Sequence, residues 1–180
     1  MYMSLIELTT LDSYEQHQAI WTLFPNTPDR KRDHLFRIEN EQKGKVIALL
    51  QSSTEPESSP EAKVLQTKPF VLSLTSGEYC KFKIIANPTK RLSKARNVVE
   101  LKTEPEQIEW LQRKLEGANV TVTSLSSKLV RNKKHCNAVF VAFEGILQIH
   151  EAEKIQRAVV MGLGRKKHAG AGLLSLAKVN

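Results

Sequence analysis

Gly162-Leu163-Gly164-Arg165-Lys166-Lys167-His168-Ala169-Gly170-Ala171-Gly172 runs directly into Leu173-Leu174-Ser175-Leu176-Ala177. Glycines let a backbone turn tightly and approach a ligand closely. Exposed N–H groups beside lysines suit a polyanion. Two familiar nucleotide folds are nevertheless excluded. The spacing lacks the G-K-[ST] ending of a Walker loop, and an apolar strand follows where a dinucleotide fold needs a helix. The stretch reads either as a phosphate-holding loop or as a helix-to-strand connection with solvated lysines. The charge pattern of the whole chain favours the first.

Working outward from that strand, residues 151–161 read as a helix, and residues 138–149 and 120–125 as strands. Residues 104–115 read as a helix, with Pro105 in its first turn and Gly117 past its end. Residues 79–86 are a further strand, followed by a basic connection over 88–101. The order is strand, helix, strand, strand, helix, strand. The first half repeats it. Strand 3–8 leads to a helix over 14–24, opened by the capping-box signature Ser13-x-x-Gln16 and ended by Pro25-Asn26-Thr27-Pro28. Strands 35–39 and 46–51 follow, then a loop rich in Ser, Glu and Pro. A weak element near 62–66 and a strand over 70–74 complete the half, so its second helix is degenerate. Two tandem β-α-β-β-α-β units predict an α+β protein of two ferredoxin-like (RRM-like) domains, 1–77 and 78–180. No RNP1-like aromatic strand is present, which argues against base stacking on the sheet face.

The chain has 180 residues, with 27 Lys+Arg against 19 Asp+Glu, a formal charge of +8, and 41% hydrophobic residues. That composition supports folded cores. No apolar stretch is long enough to span a membrane, the N-terminus has no signal-like pattern, and Cys80 and Cys136 are isolated. A cytosolic location, with both thiols as packing residues, is expected. The positive charge is segregated. Lys81, Lys83, Lys90, Arg91, Lys94 and Arg96 form one acid-free group, and Lys128, Arg131, Lys133 and Lys134 a second, followed by His135. Lys154, Arg157, Arg165, Lys166, Lys167 and Lys178 form a third. Such segregation implies a polyanionic partner, with nucleic acid ahead of a membrane surface.

On the first helix Tyr14, His17 and Trp21 fall on one side, next to Ile20, Leu23 and Phe24. Two readings stand for His17: a border histidine half packed against the core, or a general acid or base with the Tyr14 hydroxyl a turn away. His34 opens a strand, His150 begins a helix, and His135 and His168 sit in basic loops where phosphate contact is expected. No His, Cys or carboxylate set has zinc-ligand spacing, and no nucleophile motif is present, so neither a metal nor a cofactor is expected. Basic residues with a histidine point to RNA cleavage through the substrate's own 2′-hydroxyl.

Several separated motifs, in order, are similar to those of the CRISPR-repeat endoribonucleases of type I-E Cascade complexes, the CasE family. They are Tyr14-Glu15-Gln16-His17-Gln18-Ala19-Ile20-Trp21-Thr22-Leu23-Phe24-Pro25, Ala86-Asn87-Pro88-Thr89-Lys90, residues 107–115, Phe143-Glu144-Gly145, and the glycine loop with its strand. The resemblance covers essentially the whole chain. It implies tandem ferredoxin-like domains and metal-independent cleavage at the base of the repeat hairpin, leaving 5′-hydroxyl and 2′,3′-cyclic phosphate ends. It implies His17 as the catalytic histidine, Tyr14 as its assistant and Lys167 as the loop lysine. Arg165 stands where a proline is common, and Ala169 where an aromatic is common. RNA contacts are expected from Lys90, Arg91, Lys94, Arg96, Lys128, Arg131, Lys133, Lys134, Arg165, Lys166 and His168. The implied partners are the crRNA hairpin and other Cascade subunits, especially the crRNA backbone subunit, with target DNA met only indirectly, in a prokaryotic cytoplasm. A catalytically silent crRNA-binding subunit is the alternative, and retention of Tyr14 and His17 favours the nuclease.

Overall fold

The computed structural model describes residues 1–93, 97–134 and 137–179. The elements are β1 (Tyr2–Leu8), α1 (Ser13–Trp21), β2 (His34–Gln42), β3 (Lys45–Ser52), β4 (Ala62–Pro69), β5 (Tyr79–Ala86), β6 (Thr89–Arg91), β7 (Val98–Glu100), α2 (Glu104–Lys114), β8 (Ala118–Val130), β9 (Ala138–Ile149), α3 (Ala152–Met161) and β10 (Leu174–Lys178). A 3₁₀ turn covers Lys167–Ala169.

The two larger sheets share one topology. The first runs β2-β3-β1-β4 and the second β10-β5-β9-β8. Within each set of four strands, the first and third lie in the middle and the second and fourth at the edges. In the first sheet β3 runs antiparallel to both β1 and β2. β1 and β2 therefore point the same way with β3 between them, which is the split β-α-β arrangement of the ferredoxin-like fold. This confirms the expected α+β class.

The chain forms two compact units. One comprises Met1–Val71, Val130–Asn137 and His168–Gly170, and the other Leu72–Leu129, Ala138–Lys167 and Ala171–Asn180. In the first, α1 buries Ala19 and Ile20 against Ile6, Leu8, Phe36, Val46, Ala48 and Leu50 of the sheet. Each large apolar side chain so buried contributes about 1.5–3 kcal/mol relative to exposure. In the second, β5 alternates: Cys80, Phe82, Ile84 and Ala86 are buried while Tyr79 and Lys81 are exposed. Cys80 is a buried free thiol; Cys136 lies outside the described residues.

Several expectations need correction. Helix α1 is capped by Asp12, whose side chain accepts from Tyr14 N and Glu15 N, so Ser13 is already helical. The helix ends at Trp21, short of Phe24. The fourth strand of the first sheet is Ala62–Pro69, paired with β1 from Leu8↔Ala62 to Tyr2↔Pro69; residues 70–74 form no strand. The basic connection after β5 contains the short hairpin β6–β7.

Candidate active site on the first helix

Helix α1 is held at its N-terminus from two directions. Asp12 Oδ1 accepts from Tyr14 N and Glu15 N, both at 3.0 Å. Its other oxygen, Oδ2, accepts from Lys133 N at 2.7 Å. The Lys133 ammonium in turn pairs with the Glu15 carboxylate. This pairing holds Glu15 below the usual carboxylate range and pushes the Lys133 ammonium up. Lys134 places its ammonium 4.0 Å from the Tyr14 ring centroid, a cation–π contact. Tyr14 Oη accepts from Gln18 Nε2 at 3.3 Å. The segment 130–134 is thus fastened to the start of α1 through Lys133 and Lys134, whereas Arg131 is exposed.

His17 lies one turn beyond Tyr14 and is half-buried. Its Nδ1 is enclosed and has no hydrogen-bond partner, so Nε2 is the nitrogen left to exchange a proton with a substrate. Its ring meets Trp21 edge-on with centroids 6.3 Å apart, and His168 edge-on at 5.9 Å. Burial is the first cause that lowers the His17 pKa, followed by the charges of His168 and Arg32. The imidazole is therefore held neutral at neutral pH, the form a general base requires.

Behind His17 lies an aromatic column. His34 is buried, stacks on Phe24 with centroids 5.2 Å apart, and meets Trp21 edge-on at 5.3 Å. Neither of its ring nitrogens makes a hydrogen bond, although Nδ1 lies 4.0 Å from Asp33 Oδ1. Burial, then the charge of Arg30, lowers its pKa to about 4. His34 is a neutral packing residue whose role at a strand start gave no hint of this enclosure.

The remaining expected residues divide between the two units. His168 joins Tyr14, His17, Lys133 and Lys134 in the first. Lys167 belongs to the second, where its ammonium donates to Met161 O at 2.8 Å. Lys90 is on β6 and pairs with Glu106 at 3.1 Å; Arg91, beside it, is exposed. Lys128 on β8 and Arg165 are exposed, and Lys166 is half-buried with φ 59°. Lys94, Arg96 and His135 lie outside the described residues.

The glycine loop has steric reasons for its composition. A Cβ on Gly164 would stand 2.9 Å from the Trp110 ring, and one on Gly170 3.0 Å from the Phe36 ring. Both positions also have φ in the left-handed region, at 74° and 93°. Other motif residues are structural too. Buried Asn87 donates to Glu100 Oε1 at 2.8 Å and to Val139 O at 2.9 Å. A Cβ on Gly145 would come within 2.0 Å of Thr121 O. Gln16 donates to Thr10 O at 3.0 Å. His17 differs from these residues in keeping part of its imidazole exposed. Among the described residues no group of three or more His, Cys, Asp or Glu is arranged to hold a metal ion.

The fold is a tandem ferredoxin-like one, and its first helix carries a half-buried histidine and a tyrosine with a lysine ammonium over its ring. Residues 2–178 match the family model described as CRISPR associated protein. The chain is 37% identical to the CRISPR system Cascade subunit CasE of Escherichia coli (strain K12), over 98% of this chain and 99% of that protein. It is 30% identical to the CRISPR-associated endoribonuclease Cse3 of Thermus thermophilus, over 91% of this chain and 89% of that protein. The structure of Thermus thermophilus Cse3 bound to an RNA representing a pre-cleavage complex superposes with a TM-score of 0.83 at 28% identity, over 98% of this chain and 100% of that one. The chain belongs to the CRISPR-associated proteins and is a CasE-type member of them.

Proposed function

We propose that the chain is a metal-independent endoribonuclease that cuts precursor CRISPR RNA at the base of the repeat hairpin. Neutral His17 takes the proton from the 2′-hydroxyl of the nucleotide before the cut. The freed oxygen attacks the adjacent phosphorus, the bond from phosphorus to the 5′-oxygen breaks, and that oxygen takes a proton from water, so the ends are a 2′,3′-cyclic phosphate and a 5′-hydroxyl. Tyr14 orients the reacting groups. Lys167, whose ammonium donates to Met161 O, is the cation that the family resemblance assigns to the phosphate. In this reading an N-terminal domain, 1–77, carries the catalytic helix, and a C-terminal domain, 78–180, supplies most of the basic segments. The hairpin product stays bound, and the protein serves as a Cascade subunit beside the crRNA backbone subunit in the cytoplasm, meeting target DNA only indirectly. One relative supports the nucleic-acid class twice over: Thermus thermophilus Cse3 is named an endoribonuclease and is seen bound to an RNA.

The observation that carries the reading is the His17 imidazole, half-exposed with Nδ1 enclosed and its pKa lowered by burial. The test is a single-turnover assay on the repeat hairpin of the same locus in EDTA. Undiminished cleavage with a 2′,3′-cyclic phosphate end is expected. A requirement for added magnesium, or cleavage of RNA with a 2′-deoxy nucleotide before the cut, would overturn the mechanism.

A further inference from the structure

Beyond the end of α1 lies a cavity of about 420 Å³ lined by Trp21, Thr22, Phe24, Asn26, Thr27 and Arg30, with Pro25. Its size is within the range of small-ligand sites. The Arg30 guanidinium carbon stands 4.1 Å from the Phe24 ring centroid and 5.0 Å from that of Trp21. Phe24 carries both contacts, with the His34 ring stacked on it and the Arg30 guanidinium over it, and Phe24 and Arg30 both line the cavity. The Arg30 side chain is only 10% exposed, and its Nη1 is buried without an acceptor. Its charge is already met by Asp33, which also accepts from Thr54 N at 3.0 Å and Thr54 Oγ1 at 2.7 Å. Asp33 therefore meets the charge through the other terminal nitrogen, and the group that Nη1 lacks is a neutral acceptor more than a second anion.

A nucleobase meets these conditions. It offers carbonyl or ring-nitrogen acceptors to an arginine donor and a π-face to aromatic or guanidinium planes. Trp21 links the cavity to His17, because its ring both lines the cavity and meets the His17 ring. We propose that this cavity binds the base of the ribonucleotide that follows the cut, with a small turn of the Arg30 guanidinium bringing the buried Nη1 to its edge. The inference rests on the nuclease reading of His17. Bases within the hairpin are held by pairing and stacking, whereas a nucleotide beyond its foot is free to splay its base into a pocket.

The test compares two hairpin RNAs that differ only at the first nucleotide after the cut, one intact and one abasic. Affinity is measured with both blocked by a 2′-deoxy nucleotide before the cut, and cleavage is measured with both unblocked. Loss of the base should weaken binding or slow cleavage by about tenfold in the wild type. Arg30→Ala, and independently Asn26→Ala at the exposed rim, should shrink the difference between the two RNAs. Equal behaviour of the two RNAs with the wild type overturns the proposal, as does an undiminished difference in a folded Arg30→Ala protein. Cleavage without base discrimination would sink this pocket and leave the nuclease reading standing. Base-dependent binding without cleavage would do the reverse.

Discussion

His17 and His168, from opposite ends of the chain, meet edge-on with ring centroids 5.9 Å apart. A protonated neighbour at that distance opposes protonation of His17, adding to the larger effect of burial. His168→Ala should therefore raise the His17 pKa. If His17 must be neutral to act as base, the acid limb of the single-turnover rate moves to higher pH. An unshifted limb would show that the electrostatic contact does not operate.

His34 makes stability depend on pH. Its folded pKa of about 4 lies below the ordinary value of 6.5. Between those values the unfolded chain takes up a proton that the native state refuses, so stability falls as pH drops from 6.5 towards 4. The loss approaches about 3 kcal/mol and ceases to grow below pH 4, where both states are protonated. His34→Phe, which keeps a ring against Phe24, should flatten the slope in urea unfolding followed across this range.

Asp12 serves two partners. It caps α1 and receives the backbone of Lys133. Asp12→Ala should cost about 1 kcal/mol from the lost cap alone, and it should also release 130–134 from the helix start. Thermal unfolding checks the cost, and faster amide exchange at Lys133 checks the release. Ser13→Ala should leave Lys133 exchange unchanged.

RNA affinity should fall steeply with salt if the basic groups meet phosphates, with a log–log slope of about −0.7 to −0.9 per contact. Arg91 and Arg131 are both exposed. Replacing both with alanine should weaken hairpin binding and flatten the slope by about two contacts. An unchanged slope in a titration from low to high salt would place the RNA elsewhere.

Much of this architecture was legible in the sequence because its signals are local. Helix α2 carries its own start and stop signals, β5 alternates in hydrophobicity over most of its length, and β9 opens on a continuous apolar run. Strand β4 misled because only Ala62 and Val64 turn towards the core, so its pattern is weak beside the apolar run 70–74, which joins no sheet among the described residues and is tied to Met1 O through Phe70 N. Hairpin β6–β7 has three residues per strand, too few to show a period. At the site, the helix placed Tyr14 and His17 a turn apart, a relation that spacing dictates. The approach of His168 and the clamp of Lys133 on Asp12 and Glu15 depend on tertiary packing that no local pattern encodes. Lys133 and Lys134 were legible as cations, but their engagement with α1 was not. The glycines were legible as a special loop, yet the rings of Trp110 and Phe36 that demand them lie in other segments.

The central claim is that His17 carries proton transfer, and His17→Ala isolates it. Cleavage of the repeat hairpin is followed at saturating protein, alongside affinity for the uncleavable 2′-deoxy hairpin. The account predicts cleavage lost by at least about 100-fold, the scale of a general base, with affinity within a few-fold of wild type. Cleavage at the wild-type rate by the His17→Ala protein would contradict it.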